Sequence, residues 1–161
     1  MEVHQRLGQL HGKVSSQLIV FVRQMAWLNT APKPDERTKR AKVAADAPKV
    51  TRAERMKADG VDLPLPPNPL PHVIDHLLEV GLTEAAGMGA GPISWLTIDA
   101  WARRACIDLT PWEARLIRRL SVEYVAEQRR AESENCPPPW AWQVTDAEKQ
   151  AANRALEMVL G

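Results

Sequence analysis

The chain has 161 residues and carries 21 Lys and Arg against 20 Asp and Glu, a formal net charge of +1. This length suits one domain, or one small domain with an arm, and is too short for two full catalytic domains. The balanced charge argues against a generally basic nucleic-acid binder, and two cysteines, Cys106 and Cys136, are too few for a disulfide framework or a four-cysteine zinc site. The sequence has no run of about 18 apolar residues, so we expect no membrane-spanning segment.

Residues 1–29 predict one long amphipathic helix. Apolar residues recur there at steps of three and four, a heptad-like spacing with one extra residue. The apolar positions are Val3, Leu7, Leu10, Val14, Leu18, Phe21, Met25 and Leu28. A helix with such a face must bury it, either against the rest of the chain or against a partner or a second copy.

Residues 30–71 predict a linker, first basic and then proline-rich. The part from 32 to 59 holds nine Lys and Arg, five Asp and Glu and no aromatic residue, a composition typical of a flexible tether. Inside it, Thr51 and Glu54 have the spacing of a capping box and predict one short helical turn. Five prolines between residues 61 and 71 then predict an extended polyproline conformation.

Residues 72–161 predict a small helical bundle. Helix starts and stops are marked by Gly81 as a C-terminal cap and by Ser94, Thr110 and Thr145 as N-terminal caps. The resulting helices are 72–80, 95–106, 111–130 and 145–160, with a loop over 82–91. The third of these is expected to bury Leu116, Ile117, Leu120 and Tyr124. Since no convincing alternating apolar pattern occurs, the predicted fold class is all-α.

The residues do not predict catalysis, a metal site or a cofactor. His72 and His76 have a spacing that can chelate a metal, but no third ligand stands at a recognisable distance. The glycines of segment 87–91 follow no predicted strand and precede no lysine, unlike a phosphate-binding loop. We therefore expect a protein that is not an enzyme.

Two functional hypotheses come from the residues alone. Helices 95–106 and 111–130 have the lengths of a helix-turn-helix unit, which would present Arg115, Arg118 and Arg119 to DNA. Trp112 and Glu113 in the leading turn of the second helix argue against this, because a groove reader usually carries small polar or basic residues there.

The other hypothesis is protein binding. The contact residues predicted on the first helix are Leu10, Val14, Leu18, Phe21 and Met25. Trp140 and Trp142 flank a proline run, where they either clamp the C-terminal tail onto the bundle or form part of a partner surface, and in the second case they are the predicted secondary anchors. Trp95, Trp101 and Trp112 sit beside other apolar residues and are expected in the core.

One stretch resembles a known family. The sequence GPISWLTIDAW over 91–101, then IDLTPWE over 107–113 and LSVEY over 120–124, is similar to small helical proteins encoded in the tail-morphogenesis regions of long-tailed phages and prophages. These proteins look like tail assembly chaperones, or the C-terminal part of one. The resemblance covers roughly residues 70–142, including Pro-Pro-Trp at 138–140.

The resemblance implies a non-enzymatic assembly factor that acts in the host bacterial cytoplasm. Similar chaperones bind the tape-measure protein, keep it soluble and bring tail-tube subunits to it. Tape-measure and tube proteins are therefore the expected partners, with self-association through the first helix as a further possibility. A structural component that remains in the finished particle would share every one of these sequence features.

Overall fold

The computed structural model describes residues 2–34, 48–87, 89–141 and Arg154. Within these ranges the chain forms helices α1 (Glu2–Asn29), α2 (Arg52–Ala58), α3 (Pro71–Val80), α4 (Trp95–Ala105) and α5 (Pro111–Ala131), and strands β1 (Glu84–Ala86) and β2 (Gly89–Gly91). The mostly helical character of the prediction is confirmed. The helix predicted over 145–160 lies outside the described residues, apart from Arg154.

A small antiparallel hairpin corrects the all-α prediction. Strands β1 and β2 pair Glu84 with Gly91 and Ala86 with Gly89, in the segment predicted to be a loop. Each strand has only three residues, mainly Ala and Gly, so no alternating apolar pattern could announce it. A side chain at position 91 would not fit, because its Cβ would lie 2.6 Å from the Cβ of Ala86.

Local capping signals determine where the helices begin. The Thr51 side chain accepts the amide N–H of Glu54, while the Glu54 carboxylate accepts the N–H of Thr51, so α2 begins with a complete capping box. Thr110 and Glu113 form the same box at the start of α5. Both predicted helix starts are confirmed. They could be predicted because a capping box depends only on neighbouring residues.

Part of the predicted linker is packed rather than free. Arg52 and Ala53 of α2 are each only 8% exposed, and α2 lies against α1. The flexible character predicted for the linker is therefore wrong at α2. Composition could not reveal this, because a single arginine with buried hydrogen bonds holds the segment. The linker boundaries at 30 and 71 stay a prediction, and residues 35–47 lie outside the described part of the chain.

The core forms where α1 packs against α5. The two helices run in the same direction, since the His11 ring stacks on Trp112 at 4.4 Å and Arg23 bonds Glu127 at 2.9 Å. Apolar side chains of α1, α3, α4 and α5, with Ile93, fill the space between the helices. The four residues predicted to be buried on α5 are all buried, namely Leu116, Ile117, Leu120 and Tyr124.

Two polar side chains fasten the segment between α3 and α4 to the bundle. The fully buried hydroxyl of Ser121 accepts the N–H of Ile93 at 2.9 Å and donates to the carbonyl of Leu82 at 2.7 Å. The Glu84 carboxylate accepts the Thr97 hydroxyl at 2.6 Å and the N–H of Ser94 at 2.9 Å. These hydrogen bonds hold the pKa of Glu84 below its usual value. The hairpin is thereby fixed to the first turn of α4.

Candidate protein-binding site

The contact stripe predicted on α1 is largely used inside the chain. Leu18 is fully buried in the core, and Val14, Phe21 and Met25 are partly buried and packed against it. Leu10 differs, because 59% of it is exposed. The apolar face of α1 is therefore satisfied mainly by α5, and Leu10 is the stripe residue most open to a partner. Partner binding through the stripe stays a prediction.

Trp140 lies where the chain after α5 returns to α1. Its backbone N–H donates to Oε1 of Gln24 at 3.1 Å, and the Gln24 amide donates to the carbonyl of Pro64 at 2.9 Å. Gln24 itself is fully buried. The indole of Trp27 donates to the carbonyl of Cys136 at 2.9 Å, which gives the same segment a second attachment. Trp140 is half-buried at this place, and Trp142 lies outside the described residues.

Arg52 joins the C-terminal ends of α1 and α5. Its guanidinium donates to the carbonyls of Trp27 at 3.3 Å, Ala131 at 2.8 Å and Ser133 at 2.9 Å, and it lies 4.6 Å from the centre of the Trp27 ring. Helix C-termini leave carbonyls without intrahelical partners, and a buried arginine satisfies several at once. Burial lowers the pKa of Arg52 from its usual value.

A buried carboxylate ties the same helices together one turn earlier. Glu127 is 1% exposed, and its carboxylate accepts Arg23 of α1 at 2.8 Å and Arg130 at 3.3 Å. Lys33 adds an exposed ion pair with Glu132 at 2.7 Å. We call the contacts of Gln24, Trp27, Arg52 and Glu127 the polar junction. Its donors and acceptors are directed at the chain itself.

An open groove lies between α4 and the start of α5. We call it the α4–α5 groove; its volume is about 520 Å³. The lining residues are Trp95, Ile98, Asp99, Ala102, Arg103, Cys106, Ile107, Asp108, Leu109 and Ala114. Most of its lining residues are apolar, and the charged ones, Asp99, Arg103 and Asp108, are exposed. The groove is open to solvent rather than enclosed.

The tryptophan prediction fails at the mouth of this groove. Trp101 and Trp112 are partly buried against the core, as expected, but Trp95 is 50% exposed. Trp95 is the first residue of α4, where only one side of the ring reaches the bundle, and the guanidinium of Arg118 lies 5.5 Å from its ring centre. The next residue, Leu96, is 81% exposed and was not predicted. Leu96 falls outside the apolar spacing of α4, and this departure from the spacing is the signal that would have identified it as exposed.

The arginines named by the helix-turn-helix hypothesis have different surroundings. Arg115 and Arg119 are exposed and form no ion pair within the ranges that the structure describes. Arg118 is half-buried beside Trp95 and helps to lower the pKa of Glu84. Only two of the three side chains are therefore free to point at DNA.

The histidines are engaged with neighbouring helices. Nε2 of His72 lies 3.5 Å from the carboxylate of Glu113, and the His76 ring meets Trp101 edge-on at 5.4 Å. Hydrogen bonds from Thr110, aided by His72, hold the pKa of Glu113 below its usual value. Over the described ranges, no three His, Cys, Asp or Glu side chains are grouped as metal ligands. None of the described helices combines the length and apolarity needed to cross a bilayer.

Comparison with known proteins finds a family match in the central part of the chain. Residues 50–126 match the model of a family described as phage tail assembly chaperone. The match confirms the resemblance, beginning about 20 residues earlier than expected and ending before Trp140. It contains the whole α4–α5 groove and excludes α1. No curated protein and no solved structure matches the chain.

Proposed function

We propose that this protein is a non-enzymatic assembly factor for phage tails, because residues 50–126 match the model of a phage tail assembly chaperone family. It binds tail proteins such as the tape-measure or tail-tube protein during morphogenesis, in the cytoplasm of the host bacterium. The family match is the observation that carries this proposal.

The exposed apolar side chains of the matched segment support a binding role. Trp95 and Leu96 on α4 and Leu78 on α3 are each at least half exposed. Adjacent large apolar side chains that are exposed to solvent, as Trp95 and Leu96 are, are typical of surfaces that bind other proteins. Leu10 and Trp140, outside the matched segment, are proposed as further contacts, and Leu10 is also the place for self-association.

Two alternatives remain open to experiment. A component retained in the finished particle would need the same surfaces. A DNA-binding regulator is favoured by the exposed Arg115 and Arg119. DNA binding through several phosphates weakens steeply as salt rises, whereas association by apolar burial does not.

The proposal is tested by capture from cells that make the complete set of tail proteins. The tagged full chain is recovered and washed at about 0.5 M salt, which screens exposed charges, and its partners are identified by mass spectrometry. We expect tape-measure or tube protein to be retained. The proposal would be contradicted if DNA alone were recovered at low salt and then lost in the wash at about 0.5 M salt. Finding the chain in purified particles would identify it as a retained component.

A further inference from the structure

We propose that the C-terminal segment, residues 142–161, docks as an antiparallel helix on the exposed side of α1 and covers Leu10. A partner that uses Leu10 must then displace this segment first. The inference rests on the proposed role of Leu10 in partner binding and adds a regulatory element to it. With Leu10 covered, the α4–α5 groove is the surface that stays open in the free chain.

The chain after α5 already runs along α1, toward the N-terminus of that helix. The carbonyl of Cys136 accepts the indole N–H of Trp27 at 2.9 Å. Four residues later, the backbone N–H of Trp140 donates to the Gln24 side chain at 3.1 Å. The chain thus advances from position 27 to position 24 of α1 and is antiparallel to it. The N-terminal half of α1 therefore lies directly ahead of residues 142–161.

One side of α1 is covered where the chain passes and uncovered beyond that place. Positions 6, 10, 13, 17 and 24 are three, four or seven residues apart, so they lie on the same side of the helix. Gln24 is fully buried there, whereas Leu10 is 59% exposed. The other positions on this side are exposed as well, namely Arg6, Lys13 and Gln17. The contact at Gln24 therefore has a free continuation toward Leu10.

The length of the segment fits this surface. The capping-box spacing of Thr145 and Glu148 predicts a helix over 145–160, which at about 1.5 Å per residue is about 24 Å long. Helix α1 rises about 21 Å between Leu10 and Gln24. A helix that starts close to Gln24 and runs antiparallel to α1 therefore reaches Leu10.

The predicted helix has one apolar side to place on α1. Its apolar residues are spaced one, three and four apart, as on one side of a helix, and are Ala151, Ala152, Ala155, Leu156 and Val159. The small alanine side chains allow two helices to approach closely. Arg154, the residue of this segment that the structure describes, is helical and exposed, as expected for a position outside the apolar side.

The charges of the two surfaces are complementary. Helix α1 has no Asp or Glu between residues 3 and 22, and the exposed Arg6 and Lys13 form no ion pair within the described ranges. Residues 142–161 contain three acidic and two basic residues. Two copies that met through this side of α1 would bring like charges together, which disfavours a second copy as the occupant. A segment of the same chain also has a high effective concentration.

The inference is tested by hydrogen exchange, measured by mass spectrometry on the full chain and on a chain that ends after Ala141. Peptides covering residues 6–17 should exchange about fivefold faster without the segment, because docking protects α1. Peptides covering α5 are the internal control and should not change, since the segment can detach without opening the core. The protection should persist when the full chain is diluted about tenfold, because a contact within one chain does not depend on concentration.

Matched variants of the full chain locate the contact. Val159→Asp places a charge on the apolar side of the predicted helix and should reproduce the faster exchange of residues 6–17. Asn153→Asp adds the same charge on the other side of the helix and should leave the exchange unchanged. Circular dichroism checks that both variants keep the helices of the bundle.

Three results would overturn the inference: unchanged exchange of residues 6–17 after truncation, equal effects of the two variants, or protection that is lost on dilution, which would assign the contact to a second copy. The proposed function fails separately, if the wild-type chain captures no tail protein. Where tail protein is captured, Val159→Asp should retain more of it than Asn153→Asp, because Leu10 is then uncovered. Equal retention would overturn the shielding of Leu10.

Discussion

The polar junction and the α4–α5 groove differ in which side chains they bury and which they expose to solvent. At the junction, the side chains of Gln24, Arg52 and Glu127 are buried, and their polar groups are satisfied by the chain's own carbonyls, amide and charges. At the groove, Trp95 is exposed, and so are Leu96, the next residue of α4, and Arg115, which follows the lining residue Ala114. Burying polar groups stabilises a fold only when they are fully paired. The junction thus serves folding, and the groove is the surface that we propose for binding.

This contrast bears on the α1 stripe, for which the sequence allows both packing within the chain and binding of a partner. A long heptad-like stripe suggests a partner-binding helix, yet residues such as Leu18 and Val22 are fully buried within the chain. The exposed apolar groups occur instead on α4, where the periodic pattern is less regular. The predictions below separate the two regions, starting with the largest expected effect.

Leu18→Ala tests whether the α1 stripe belongs to the core. Leu18 has no exposed surface, so removing its side chain should lower the free energy of unfolding by about 3 kcal/mol. Urea denaturation followed by circular dichroism measures this loss. A change below about 0.5 kcal/mol, the size typical of surface sites, would mean that α1 does not pack as described.

Arg52→Met tests the polar junction. The variant keeps an unbranched apolar stem but removes the donors to the carbonyls of Ala131 and Ser133, so we expect a loss of about 2–3 kcal/mol. Arg52→Lys is the matched control and should lose less, because it keeps the charge without the planar fork. Equal stability of wild type and Arg52→Met in urea would contradict the described junction.

Thr110→Ala tests the start of α5, beside the groove. Loss of the cap should cost about 1 kcal/mol in urea denaturation.

The pH dependence of stability follows from Glu113, whose pKa is lowered in the folded state. Its stabilising effect is complete above its unfolded pKa, near 4.3, and disappears as the pH falls through the folded pKa. The stability difference between wild type and Glu113→Gln should therefore shrink between about pH 6 and pH 3; a constant difference would contradict the capping role.

Leu10→Ala is the smallest expected effect and the counterpart of Leu18→Ala. Since 59% of Leu10 is exposed, the change in unfolding free energy should stay below about 0.5 kcal/mol. If Leu10 contributes to partner binding or self-association, the variant should weaken that association while leaving the melting temperature unchanged. A large loss of stability would place Leu10 in the core.

The parts of this structure that the sequence predicts are those with local causes. Capping boxes at Thr51 and Thr110 mark helix starts, and three-and-four spacing identifies the buried face of α5. What could not be predicted depends on partners distant in the chain. The pairing of Arg52 with Ala131 and of Arg23 with Glu127 spans 79 and 104 residues, and no spacing rule encodes such contacts.

The candidate site was predicted less well than the fold for the same reason. Whether an apolar residue is exposed depends on which helix covers it. Periodicity gave Leu18 and Leu10 the same role, although only Leu18 is covered by the bundle. Trp95 was expected in the core because apolar residues lie near it in the sequence. The sequence does not show where α5 packs, and so it does not show that half of Trp95 stays exposed. Trp142 lies outside the described residues, so its role as an anchor stays a prediction.

The central claim is that this protein binds a tail protein through the α4–α5 groove. Hydrogen exchange of the full chain, measured by mass spectrometry with and without its captured tail protein, tests this most directly. We predict that protection from hydrogen exchange increases in peptides covering residues 95–119. The polar junction, which we expect to be protected already in the free chain, should change little. Protection confined to α1, with 95–119 unchanged, would contradict it.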